Sequence, residues 1–251
     1  MVPIKFLPMG LPYIVFNLKD PFTIYKANLN SGIAGDGNLI VGQMLQYYHL
    51  VPHGTLASIG VIFHPTGLFR LLHLPVHELI DYGYPAEDVI GNKLKPLYDR
   101  MLTPDATISQ RILYLDAFFM AQLPSSIHRY GYIEHALNVI HQTKGLVSIG
   151  QLIDMIHSSG RTFRRRFLES AGISCKKYII LKRLNNILNI VKKQDAEDIN
   201  WSRVACGLGY YDQMHFIKSF KQYCGENPTE YMARYHDPRH AEEQYFLSAS
   251  E

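Results

Sequence analysis

The 251-residue chain is poor in cysteine and tryptophan, with three of the first and one of the second. Cys175, Cys206 and Cys224 form neither pairs nor metal-ligand spacing, which excludes a disulfide framework and fits a reducing compartment. No apolar run approaches the roughly 20 residues a membrane-spanning helix needs. The opening MVPIKFLPMG has no apolar h-region, so no secretory signal and no membrane partner are expected, and the cytoplasm is the expected location. Phosphate loops, redox CxxC pairs and Ser-His-Asp patterns are missing. The histidines form no ligand set: Pro52 lies between His49 and His53, Pro75 lies between His73 and His77, and His64 precedes a proline. No catalytic residue, metal or cofactor is expected, and the chain does not read as an enzyme.

What is present is a globular composition, 47% apolar and 19% charged, which excludes a disordered chain. The net charge of +3 hides an asymmetry. Residues 1–149 hold 10 basic and 10 acidic residues, whereas 150–236 hold 14 and 8, a net of +6. Residues 237–251 carry one arginine against four acids, an acidic tail. A basic block beside a neutral one predicts that 150–236 meets a polyanion while 1–149 does something else.

The texture changes along the chain. Ile14-Val15-Phe16, Phe22 to Tyr25, Leu39-Ile40-Val41, Gln43 to Tyr48 and Leu56 to Phe63 read as short strands between turn residues, which suggests a sandwich or barrel. Leu68 to Leu74 and Val76 to Tyr82 read as short helices. Thr107 to Leu123 reads as an amphipathic helix with Ile108, Ile112, Leu115 and Phe119 on one face. Pro124-Ser125-Ser126 reads as a linker. From about residue 130 every apolar stripe has helical period: Ile133, Leu137, Ile140 and Leu146, then Ile149 to Ile156, then Tyr178 to Val191, then Val204 to Leu208.

The helical part contains a repeat. At an offset of 53, Ser159 falls on Asp212, Phe163 on Phe216, Arg165 on Lys218, Phe167 on Phe220, Gly172 on Gly225 and Tyr178 on Tyr231. Each copy reads as a cap, a helix with two buried aromatics, a glycine stop and a tyrosine. In the second copy the small Ala205 and the turn residue Gly209 suit a helix-turn-helix. In the first copy Ile153 and His157 take those places, which predicts either a wider crossing or a partly lost pattern.

These residues resemble the DNA-binding domain of AraC/XylS-type transcription regulators. The resemblance rests on Ser159, Arg161-Thr162-Phe163, Arg165 and Phe167, then Gly172, Tyr178, Gly209-Tyr210-Tyr211-Asp212-Gln213, His215-Phe216 and Gly225-x-Asn227-Pro228-x-x-Tyr231. It implies seven helices over 130–236, two of them recognition helices, with 176–193 as the linker helix between the two units. Cys175 departs from the family's usual proline, and Met214 from a common serine. Val41-Gly42-Gln43, Gly60 to Gly67 and Leu74-Pro75-x-x-Glu78-Leu79 resemble a sensor domain of one subgroup, β-barrel-like and similar to cupins. Relatives open on one or two further strands, so the chain reads as N-terminally short.

The expected fold is therefore α+β. A cupin-like β-rich barrel with flanking helices over 1–123 serves sensing or oligomerisation, and a linker at 124–129 leads to an all-α domain at 130–236 and the tail. The expected partner is double-stranded DNA. The resemblance further implies RNA polymerase, a small-molecule effector, self-association as a homodimer, and activation of transcription. Arginine suits the O6/N7 edge of guanine, and glutamine suits adenine. Arg161, Arg164 and Arg165 are assigned to the groove, with Arg166 left to phosphate or solvent. Gln213 is assigned to adenine, Met214 and Ile217 to thymine methyls or to core packing, and Lys218 to phosphate or guanine. Ser159, Thr162, Asp212 and His215 complete the expected DNA-facing set, while Tyr210 and Tyr211 are expected to be structural. Tyr47, Tyr48, Phe63 and Tyr82 are weighed as an effector pocket against ordinary core, and Cys206 with Cys224 as a redox pair against inert thiols. Two other readings stay open: a cupin-like metalloenzyme with an appended DNA-binding module, and a basic module that meets an acidic protein.

Overall fold

The computed structural model describes residues 3–27, 32–35, 37–73, 75–123, 131–156, 158–193 and 199–237. The expected linker at 124–129, His157, Leu74 and nearly all of the acidic tail lie outside these residues.

The N-terminal part is built on eight short strands: β1 (Ile4–Phe6), β2 (Tyr13–Asn17), β3 (Phe22–Lys26), β4 (Gly32–Gly35), β5 (Asn38–Val41), β6 (Tyr48–Pro52), β7 (Ser58–Ile62) and β8 (Gly83–Pro85). They form two antiparallel sheets, ordered β1-β6-β3-β4 and β7-β2-β5-β8. Alternation along β2 shows how the layers stack. Tyr13 and Val15 face the first sheet and pack with Phe22, Ile24 and Leu50, and Tyr13 hydrogen-bonds Tyr48 across the gap at 2.7 Å. Ile14 and Phe16 point the other way, onto a helical layer. That layer holds α1 (Gly67–Leu72), a 3₁₀ turn (Val76–Leu79), α2 (Ala86–Ile90), α3 (Leu94–Met101) and α4 (Ile108–Gln122). The β-rich expectation holds. Among the described residues the strands form two facing sheets rather than one closed ring, because no ladder joins them.

Some expectations need correction. Gln43 to Tyr48 is not a strand of its own; only its last residue, Tyr48, enters a ladder, as the first of β6. Residues 42–47 leave the sheet, and the Tyr47 N–H donates to the Tyr223 carbonyl at 3.0 Å instead of entering a ladder. Of Val76 to Tyr82 only Val76–Leu79 is helical, as a single 3₁₀ turn. On α4 only Leu115 of the expected stripe is fully buried. Ile108 and Ile112 are 68% and 48% exposed, because the packed face runs through Leu115, Phe118 and Phe119.

The C-terminal part is all helix: α5 (Gly131–Gln142), α6 (Ile149–Met155), α7 (Gly160–Ala171), α8 (Cys175–Lys193), α9 (Trp201–Gly207), α10 (Gln213–Cys224) and α11 (Pro228–Tyr235). These are seven helices among the described residues, with α8 in the expected linker position. Leu146, placed on the first apolar stripe by periodicity, is half exposed, since it follows the turn at Gly145. The 53-residue repeat is an aromatic ladder used twice. Phe163, Phe167 and Tyr178 meet edge-on at 5.7 and 5.9 Å. Phe216, Phe220 and Tyr231 do the same at 6.0 and 5.7 Å. Both recognition-position helices, α7 and α10, span twelve residues and stop on a left-handed glycine, Gly172 (φ 82°) and Gly225 (φ 79°). Each glycine returns its N–H to the carbonyl four residues back, where a side chain would be strained.

Phe216 is fully buried. Replacing it by alanine is expected to cost about 3–5 kcal/mol, whereas Asp212→Ala, which removes only a cap, should cost about 1 kcal/mol. Urea unfolding of the full chain checks both values.

Candidate DNA interface

The two helix-turn-helix units are α6–α7 and α9–α10. Each second helix begins at a side-chain cap: Ser159 Oγ accepts from the Thr162 N–H at 3.2 Å, and Asp212 Oδ1 accepts from the His215 N–H at 2.6 Å. Beyond these caps neither helix has an acidic residue in its first turn. The positive end of the α7 dipole thus has no anion beside it, which suits an approaching phosphate, whereas the start of α10 already carries the Asp212 carboxylate.

Arg161, Arg164 and Arg165 are exposed on α7, and Thr162 is half buried. The Arg164 guanidinium folds back over Gly160. Arg165 and Arg166 share Glu169, at 3.2 and 2.8 Å. The Arg165 pair is exposed and i,i+4, worth only about 0.3–0.5 kcal/mol, so Arg165 is readily released, while Arg166 lies closer to the protein body. In the turn of the first unit, a Cβ at Gly160 would stand 3.1 Å from Ile153 Cδ1.

On α10, Gln213, Met214, His215 and Lys218 are exposed. Met214 is 80% exposed, which removes core packing as its role. Ile217 is half buried against the helical core, so it divides between the two readings. The Ser202 hydroxyl donates to Gln213 Oε1 at 2.5 Å. Sequence reasoning missed Ser202, since nothing in its spacing announces a partner eleven residues on. His215 lies edge-on to Tyr210, which also packs on Phe216. Tyr210 is structural as expected. Tyr211 is not packed: at 94% exposed it stands in solvent just before the Asp212 cap.

The suggested effector pocket does not form from its named residues. Tyr48 is buried between the sheets, Phe63 packs on Phe119, Tyr82 leans exposed against Tyr84, and Tyr47 reaches the C-terminal part. The redox pair loses one member, because burial pushes the Cys224 thiol well above its usual range while Cys206 is exposed. Among the described residues no group of three or more His, Cys, Asp or Glu could hold a metal ion, and no helix is long and apolar enough to cross a membrane.

Residues 152–234 match the family described as a helix-turn-helix domain. The C-terminal domain is of the AraC type. Residues 2–85, ahead of the AraC-type domain, match a domain family of unknown function. No curated protein sequence matches the chain significantly. Among solved structures the chain is similar to ToxT from Vibrio cholerae, with 13% identity, 92% of each chain covered and a TM-score of 0.49. It is also similar to a ToxT structure with an unsaturated fatty acid bound, with 13% identity, coverage of 92% and 89%, and a TM-score of 0.46. The AraC-type part is similar to the C-terminal domain of AraT, a response regulator from Geobacillus stearothermophilus, with 18% identity, coverage of 44% and 95%, and a TM-score of 0.37.

The N-terminal part docks on the AraC-type domain through two polar clusters. In one, Glu134 of α5 accepts from the Thr66 hydroxyl and faces Arg70 at 3.6 Å and His64 at 3.4 Å. Burial, together with Arg70, Lys182 and His141, outweighs Glu134 and keeps the His64 imidazole below its usual pKa. In the other, Glu226 accepts from Lys5 at 2.5 Å and from Arg234 at 2.7 Å. Burial alone would raise the Glu226 carboxyl, but hydrogen bonds from Arg234 and Lys5 and their charges hold it below the usual carboxylate range.

A depressed carboxylate stabilises the fold above its unfolded pKa of about 4.3 and loses that contribution as pH falls through the lower folded value. The stability gap between wild type and Glu226→Gln should therefore be full at neutral pH and close below about pH 4. Urea midpoints from pH 3 to 7 measure it, and a constant gap would contradict the assignment.

Proposed function

We propose that the chain is a sequence-specific DNA-binding transcription regulator of the bacterial cytoplasm. In this reading 130–236 binds duplex DNA through both units, and 1–123 senses a small molecule or mediates self-association. Regulation is activation, by recruiting or positioning RNA polymerase. The observation that carries the reading is the paired arrangement. Two capped helices of equal length, built on the same aromatic ladder, each expose cationic or amide side chains from their first two turns.

The roles follow from chemistry. Arg161, Arg164 and Arg165 reach guanine edges or phosphates, Gln213 reads adenine with its oxygen pre-positioned by Ser202, and Met214 meets a thymine methyl. Lys218 takes a phosphate or guanine, and Ser159, Thr162, Asp212 and His215 hold the helix starts against the backbone. Recognition helices one DNA turn apart, about 34 Å, enter successive major-groove segments on one side of the duplex.

Selection from a random duplex library at moderate salt tests this. The expected result is a long motif of two blocks spaced near one turn, with one block relaxed by Arg164→Ala and the other by Lys218→Ala. A single block relaxed only by Lys218→Ala would mean that the first unit no longer reads bases. No enriched motif would overturn the specific-regulator reading and favour a non-specific or protein-binding role. With about 5–8 phosphate contacts, the log–log salt slope of affinity should lie near −5 to −7.

A further inference from the structure

Both recognition helices end against the N-terminal part, and they do so at equivalent positions of the repeat. At the end of α7, a Cβ on Gly172 would stand 3.0 Å from Val76 Cγ1 and 3.2 Å from Gln43 Cγ. At the end of α10, a Cβ on Gly225 would overlap the Tyr47 ring. The Tyr47 N–H also holds the Tyr223 carbonyl in the last turn of α10. Lys5 binds Glu226, the next residue after Gly225, and lies over the Tyr47 ring at 4.6 Å.

The two contacts come from one short rib. Gln43 and Tyr47 are four residues apart, so the stretch between them spans at most about 14 Å. The rib is stiff for identifiable reasons. The Asp81 N–H donates to the Gln43 carbonyl at 3.0 Å, and Asp81 Oδ1 accepts from the Leu45 N–H at 2.7 Å. Lys26 pairs with Asp81 at 3.0 Å, and Gly42 sits on the Leu79 carbonyl, where any side chain would collide. The strip 42–47 and the strip 76–81 are thus knitted together, and each places a residue on the Gly172 cap.

We infer that this rib is a spacer gauge: Tyr47 and Lys5 are positioning residues that fix the second recognition helix relative to the first and so set which distance between the two DNA blocks the protein accepts. The rib grips the C-terminal ends of α7 and α10, while the residues assigned to the duplex lie in their first two turns, so the gauge and the reading surface occupy opposite ends of the same helices. Rigid linkage raises the effective concentration of the second unit at one spacing only, and freedom spreads it over several.

The inference rests on the two-block reading above. The competing account is that α8 alone sets the spacing, since its residues Tyr178, Leu181, Leu184 and Leu188 belong to the core shared by both units. The experiment uses the full chain and duplexes that carry the two selected blocks, with zero, one or two base pairs added or removed between them. For wild type, a two-base-pair change should lower affinity about tenfold or more. For Tyr47→Ala with Lys5→Met the loss should shrink to about threefold or less, with affinity at the native spacing little changed. Tyr47→Phe with Lys5 intact should restore the wild-type profile, because it keeps the ring, while the backbone N–H is common to every variant. Tyr82→Ala, exposed and away from the caps, should leave the profile as in wild type. An unchanged steep profile in the Tyr47/Lys5 variant would overturn the inference and assign the spacing to α8. A wild type that selects no two-block motif would remove the reading beneath it, which is a different result.

Discussion

The buried aromatic ladder is the interaction on which the C-terminal half depends. Phe163 and Phe216 are completely excluded from solvent, and each touches the second phenylalanine of its helix, which in turn meets a tyrosine of the following helix. Rings of this size dominate local packing energy, so each ladder decides which face of α7 or α10 turns inward. That choice leaves the opposite face outward, and there the sequence has placed Arg161, Arg164 and Arg165 in one copy and Gln213, Met214 and Lys218 in the other. The chemistry of the surface follows from the burial beneath it.

The second constraint is backbone geometry at the helix ends. Gly172 and Gly225 stop their helices in the left-handed region, and the absence of a side chain allows close approach from outside. The N-terminal part uses both openings. Its Lys5 and Tyr47 reach the second unit, Val76 and Gln43 reach the first, and Thr66, His64 and Arg70 reach Glu134 on α5. The AraC-type domain is therefore held by the N-terminal part at several places, among them α8, where Asn185 donates to the Met9 carbonyl at 2.9 Å.

Much of this was legible in the sequence because it was periodic or repeated. The offset of 53 located both ladders, both glycine stops and both caps, and the change from short alternating runs to helical stripes separated the β-rich part from the helical one. What was not legible depends on contacts distant in the chain. Residues 43–47 have the composition of a strand, yet hydrogen bonds to Tyr223 and Asp81 draw them out of the sheet. Ile108 and Ile112 fit the period of a buried stripe, but the phase of α4 is set by Leu115 and Phe118 against the sheet. Tyr211 looked structural beside Tyr210, and only the fold shows one ring packed and the other in solvent. The Lys5–Glu226–Arg234 cluster joins residues more than 200 positions apart, and no local pattern could announce it.

The central claim is that one chain places two recognition helices on the same face of one duplex. Hydroxyl-radical footprinting of the full chain on its selected site tests this most directly. The account predicts two protected patches about one helical turn, roughly 10 base pairs, apart on one face of the DNA. A single patch, or two patches offset by half a turn onto opposite faces, would contradict it.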